Sequence, residues 1–210
     1  MGNKSVIGLK FLQWGEWIKL KTRNKTPLLK LLRNSYSILD GSTTTLANMS
    51  FDRKDRIDFC IPLLQNHVLN TLEKGEFKGR WVEIAEMVID FFMMCGEHYF
   101  IFTSILLSFT THSQLPAFTN ALTPFILSHR LQILPSTASL TQISDNLLET
   151  KQTQLLERMI LNLKLSNLDC AEVFEICFRA KAYHAMIYVS VEGLRNYLAP
   201  AAKLAAIWLN

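Results

Sequence analysis

Apolar residues along this chain return every three or four positions, and strict apolar–polar alternation is nowhere sustained. The first period lines one face of a helix, whereas the second would mark a strand. Leu9, Leu12, Trp17 and Leu20 give a rough helical spacing. Pro27 opens a clearer stripe through Leu28, Leu31, Leu32, Tyr36 and Leu39, and Asp40 to Thr45 reads as a loop. Ser50 and Asp52 offer capping oxygens for a helix to about Glu73, with Phe59, Leu63, Leu64, Val68 and Leu72 inward. Pro62 predicts a kink or break within it. A turn at 74–79 leads to a helix from Trp81 to Cys95, a break near Gly96, and a helix from Glu97 to about Phe109.

The same period continues to the end. Leu115-Pro116 opens a helix with Phe118, Leu122, Phe125 and Ile126 inward, and Pro135 opens another with Leu140, Ile143 and Leu147 inward. Residues 151–165 place Leu155, Leu156, Met159, Ile160 and Leu163 on one wide face. Asp169-x-x-Glu172 has the form of a capping box, in which Asp169 accepts from the first-turn N–H groups and Glu172 reaches back. Val173, Ile176 and Cys177 follow inward. A helix from about Tyr183 to Tyr197 presents Ala185, Met186, Tyr188, Val189 and Leu194, with Ile187 taken as buried, and Pro200 begins the last helix. These elements predict an all-α fold, an α-solenoid of antiparallel helical hairpins at about 30–40 residues per pair. The final helix, with Leu204, Ile207, Trp208 and Leu209, has no following repeat to cover it, so Trp208 is expected to be exposed.

Composition narrows the class. Hydrophobic residues make up 49% and charged residues 19%, which excludes a disordered chain. The longest uninterrupted apolar run, Tyr99 to Phe109, is too short to span a bilayer, and the start carries charge instead of a secretory signal. Met1-Gly2 is followed by Val6 where a myristoylation pattern has Ser or Thr, which argues against that modification. Residues 1–33 hold eight basic side chains against Glu16, a net +7, leaving −3 for the rest. Such a stretch reads first as a solvated helix face, then as a contact for anionic lipid or an acidic partner, and last as a nucleic-acid site, for which no motif is present.

Chemistry is hard to find. The four cysteines, Cys60, Cys95, Cys170 and Cys177, form no CxxC pair and read as buried reduced thiols. Cys95 and His98 are an isolated pair. His67, His98, His112, His129 and His184 are scattered, and His184 reads as a partly buried surface histidine. Glu83, Glu86 and Asp90 share a helix face that reads as solvated. No phosphate loop, HExxH or nucleophile elbow occurs. No catalytic, cofactor-binding or metal-binding residue is assigned, and no cofactor is expected. Thirteen Phe, seven Met and four Trp belong to a core first, but a solenoid leaves flanks and ends where exposed apolar strips receive partners.

One stretch carries a family pattern. Leu155 to Leu163, Ser166-Asn167-Leu168-Asp169 and Val173 to Cys177 are followed by Ala182-Tyr183-His184-Ala185-Met186-Ile187-Tyr188-Val189, Gly193-Leu194 and Ala199-Pro200. This resembles the central helical domain of the vacuolar protein sorting subunit eight family, a subunit of the CORVET endosomal tethering complex. Pro124 to Leu127, Leu134-Pro135 and the start with Trp14 and Trp17 resemble it more loosely. The resemblance implies a non-enzymatic scaffold in endosome-to-vacuole (lysosome) traffic, cytoplasmic and peripheral on those membranes. Its partners would be other tethering subunits and a small GTPase, with no nucleic acid. A generic helical-repeat adaptor in another coat is the alternative. Two regions are expected: a basic helical segment with a Ser/Thr loop over 1–50, and a helical-repeat domain over 51–210. Family members carry a β-propeller before this domain and usually a RING domain after it. Neither fits these residues, which reads as a fragment, an incomplete gene product or a shortened duplicate.

Overall fold

The computed structural model describes residues 53–75, 77, 79–196, 198, 200–202 and 205. The helices expected before residue 40, the Ser/Thr loop, the side chains of Phe59 and Cys60, and Trp208 lie outside them. Among the described residues every regular element is helical. None of these helices is long and apolar enough to cross a membrane.

The chain forms two compact units, one reaching to Arg80 and including Asp90–Phe100, the other holding Trp81–Ile89 and Ile101 onward. In the first, α1 (Arg53–Glu73) is helical through Pro62. The expected break does not occur, because Pro62 is solvent-exposed and its ring removes a single backbone bond from a helix of 21 residues. Ile61, Leu64, Val68 and Leu72 form its buried stripe. Leu63, expected inward, falls out of phase with that stripe and is 59% exposed. α2 (Trp81–Cys95) has the predicted bounds and ends on Gly96 at φ 84, where only glycine pays no Cβ penalty. Within the first unit, Gln65 donates to Glu97 at 3.1 Å, and Phe92 packs against Phe91 and Phe100 at 5.1 and 4.7 Å. Then comes α3 (His98–Phe100).

The second unit begins its own run with a π-helical turn, Ile101–Ile105, and α4 (Leu106–Thr111). After it come α5 (Leu115–Leu127), α6 (Thr137–Glu149), α7 (Thr153–Leu161), a 3-10 turn (Leu165–Asn167), α8 (Cys170–Ala180), α9 (Tyr183–Tyr188) and a second π-turn, Val189–Gly193. From α5 on, the helices pack in an overlapping series: α5 on α6 and α7, α6 on α7 and α8, and α7 and α8 on α9. That is a two-layer stack of hairpins, with α5, α7 and α9 in one layer and α6 and α8 in the other, as the solenoid reading requires.

The links repeat where the sequence does not. Ser113, Lys151 and Lys181 each take a left-handed conformation, with φ of 56°, 58° and 55°. Around them Gln114, Gln152 and Ala182 donate to Phe109, Leu147 and Cys177, closing the same Schellman turn three times. All three join an even helix to the next odd one.

Other expectations need correcting. Pro135 precedes α6, and Ser136 is its cap, accepting from the Ser139 N–H at 3.4 Å. The chain is already helical at Leu198, ahead of Pro200. Asp90 is 8% exposed, because α2 is apolar nearly all round from Ile84 to Phe92 and has no solvated face there. Leu155 is only half-buried. Leu194 is exposed because the π-turn before it adds a residue to the turn and breaks the 3.6-residue phase.

The Asp169 cap is present. Its carboxylate accepts from the N–H groups of Ala171 and Glu172 at 2.9 and 3.3 Å. The box is only half made: the Asp169 N–H donates to Thr137 Oγ1, and Glu172 accepts from the Thr141 hydroxyl. Ile187 is 43% exposed, since Ala185, Met186 and Val189 form the inner face of this segment. Asp169→Ala is therefore expected to cost about 1 kcal/mol, and Ile187→Ala no more than that. Met186→Ala, at a fully buried position, should exceed both at roughly 2–5 kcal/mol. Chemical denaturation of the three variants checks the order.

Candidate functional site

Among the described residues, those that the sequence singles out for chemistry do not converge. Among the described residues no three His, Cys, Asp or Glu side chains stand close enough to hold a metal ion. Cys95 is half-buried, and burial, aided by Glu97, pushes its thiol up to about 12. Cys177 is buried, and desolvation with the Glu157 charge also raises it to about 12. Cys170 is half-buried and shifts upward too, through desolvation and then Asp169. A thiol held above its ordinary value is protonated near neutrality and a poor nucleophile. His67, His98 and His129 are exposed, and His112 lies against Trp81 at 5.3 Å.

His184 is more exposed than expected and joins two helices. Ala182, before α9, has no side-chain cap to offer. Glu157 of α7 supplies one from outside: its Oε1 accepts from the His184 N–H at 2.7 Å and lies 3.2 Å from Nδ1. Further along, the Tyr188 hydroxyl donates to the Leu163 carbonyl at 3.0 Å. The two helices therefore run side by side in the same direction, as alternate members of one layer must. Burial, then Glu192 and Cys170, raise the Tyr188 phenol, which keeps it a donor.

These contacts fix an outer face. Ile187 lies one turn past His184, and Leu161 one turn past Glu157, ending α7 where the face meets the loops. They are 43% and 40% exposed. The α5 part of this layer contains no charged residue. The other layer is polar outside, with Thr141 bonded to Glu172 and Arg179 paired to Asp145 at 3.4 Å across α6 and α8. Surface-exposed ion pairs of that kind add little stability. At the start of α7, Lys151, Gln152, Thr153, Gln154, Leu155 and Arg158 line an open cleft of about 410 Å³. It offers two cations and no carboxylate or thiol, so it lacks the acid–base pair that catalysis of proton transfer needs. What the surface offers chemically is contact: an aliphatic, charge-poor face beside a polar one.

The comparisons with known proteins agree with the pattern read from the sequence. The model of the family described as Vps8 central TPR matches residues 117–209, which lie in the second unit. The human and mouse proteins named "Vacuolar protein sorting-associated protein 8 homolog" are each 22% identical to this chain over 97% of its length. The chain spans about 15% of the length of each. No solved structure matches it. The odd helices of the stack, beginning at Leu115, Thr153 and Tyr183, recur about once per 34-residue TPR period.

Proposed function

We propose, from the premise that residues 117–209 are a central helical region of the Vps8 family, that this chain is a non-enzymatic scaffold segment in endosome-to-vacuole (lysosome) vesicle traffic. It acts by protein–protein contacts along its helical stack. Its partners are other subunits of a CORVET-type tethering complex and a small GTPase on endosomes, which hold it peripherally on those membranes. The basic segment 1–50 and the helical-repeat domain 51–210 are its two working regions. The observation that supports this most is the coincidence of the family match with a hairpin stack whose α7–α9 face leaves Ile187 in water beside the Glu157–His184 pair.

Affinity capture of the tagged chain from its own cells tests the reading. Wild type should bring down other tethering subunits. Ile187→Asp, which places a charge in the middle of the proposed contact without touching the core, should reduce that capture about tenfold or more. Recovery of coat or adaptor proteins without any tethering subunit would replace the reading with that of a generic helical adaptor.

A further inference from the structure

The two edges of the stack differ. One edge holds the Schellman turns at Ser113, Lys151 and Lys181, and none of these turns has an exposed large apolar side chain. The other edge holds the α5–α6 loop, the α7–α8 loop and the end of the second π-turn. Here the three segments are in register. The Lys164 N–H donates to the Gln132 carbonyl at 2.6 Å, joining the first loop to the second. The π-turn packs on the 3-10 turn of the second loop, and Gly193 lies so close to Leu165 that a Cβ there would stand 3.1 Å from its Cδ1. Each segment carries an exposed aliphatic residue with a cation one to three positions away: Ile133 with Arg130, Leu161 with Lys164, and Leu194 with Arg195. The aliphatic residues are 44%, 40% and 37% exposed. The carboxylates closest in sequence are Glu192, Glu157, which accepts from the His184 N–H, and Asp169, engaged in capping α8.

We infer that this edge is a lipid-contact edge, which lays the stack against an anionic membrane surface. An aliphatic residue beside a cation is the combination that such a surface rewards, the side chain entering the headgroup boundary and the charge meeting acidic lipid. A protein partner fits it less well. The three pairs stand on separate turns and present no exposed aromatic residue, since Phe125, on which Arg130 stacks at 4.7 Å, is itself buried. Protein hot spots, by contrast, cluster around large aromatic anchors. A fluid, flat surface needs no matching shape. The edge shares only Leu161 with the α7–α9 face proposed above for protein contacts, and the variants below leave Leu161 and Ile187 unchanged.

Flotation of the full chain with vesicles tests it, comparing phosphatidylcholine alone with phosphatidylcholine containing phosphatidylserine. Wild type should float with the anionic vesicles and not with the neutral ones. Each cation at an anionic surface strengthens binding about fivefold, so Arg130→Gln/Lys164→Gln/Arg195→Gln should weaken it on the order of 100-fold. Ile133→Asn/Leu194→Asn should weaken it as well, at the wild-type melting temperature. Because Arg130 also stacks on Phe125 at 4.7 Å, Lys164→Gln/Arg195→Gln is measured beside the triple variant. It should weaken binding about 25-fold with the melting temperature unchanged. The opposite-edge pair Lys151→Gln/Lys181→Gln should lose little. The basic N-terminal stretch is a second source of attraction, so Lys19→Gln/Lys21→Gln/Lys25→Gln is measured alongside and should retain edge-dependent binding. Failure of wild type to float with the anionic vesicles would overturn the proposal. So would an edge variant that loses no more than the opposite-edge pair, or binding abolished by the N-terminal changes alone.

Discussion

Phe118→Ala is expected to destabilise the helical stack by about 3–5 kcal/mol, the range for deleting a large buried aromatic side chain. Phe118 is fully buried at the first helix of the stack. Its ring sits 5.6 Å from that of Phe109, which in turn meets Trp81 edge-on at 5.4 Å. The substitution therefore removes the end of a chain of three rings. Such pairs contribute about 0.5–1.5 kcal/mol beyond the area they bury. The neighbouring helices α6 and α7 are held by other helices of the stack as well and cannot collapse fully onto the space, so a cavity cost is added to the lost transfer energy. Phe118→Leu keeps most of the volume and should cost about 1.5 kcal/mol or less. The measurement is a denaturant midpoint for each variant, read at unchanged slope. A loss for Phe118→Ala no larger than that of Ile187→Ala would mean that α5 is not a core helix of the stack.

The regular part of this architecture was legible because it is local. A period of 3.6 at Ala185, Met186 and Val189 predicts the inner face, and Asp169 before Cys170 predicts a cap, each from residues within a few positions. Wherever a distant residue decides, the reading missed. Glu157 caps α9 from 27 positions away. Glu172 turns from its own helix start to Thr141, which lies on α6. Asp90 has the spacing of a surface residue but sits on a helix covered nearly all round. Leu194 follows a π-turn, and one added residue in a turn has no compositional mark. The three repeated Schellman turns are built on Ser113, Lys151 and Lys181, which carry none of glycine's signal. The contact surfaces were hidden for the same reason: Ile133, Leu161 and Leu194 become one edge only after the hairpins stack. No catalytic set was assigned, because the candidate residue types are scattered with no shared spacing; burial raises the thiols of Cys95 and Cys177 to about 12.

Gly193→Ala sets two effects against each other, and their signs differ. In a helical segment alanine is favoured over glycine by up to about 1 kcal/mol, so propensity alone makes the change stabilising. Packing opposes it. A Cβ at this position would stand 2.6 Å from Cys170 Sγ, 3.0 Å from Cys170 Cβ and 3.1 Å from Leu165 Cδ1. The sulfur could rotate away, but the Cys170 Cβ is fixed to the first turn of α8, whose start is tied down by the Asp169 cap and by Thr137. Either the π-turn or the 3-10 turn has to shift. Overpacking of this kind costs typically 1–3 kcal/mol, which exceeds the propensity gain, so Gly193→Ala is expected to lower stability. Cys170→Ala removes the closest atom and leaves the other two. The double variant should therefore recover part of the loss, with a coupling of about 0.5 kcal/mol or more between the two sites. Thermal or denaturant unfolding of the two single variants and the double variant measures it. If Gly193→Ala raises stability, or if Cys170→Ala leaves its effect unchanged, the close approach of the π-turn to α8 is not what holds this end of the stack.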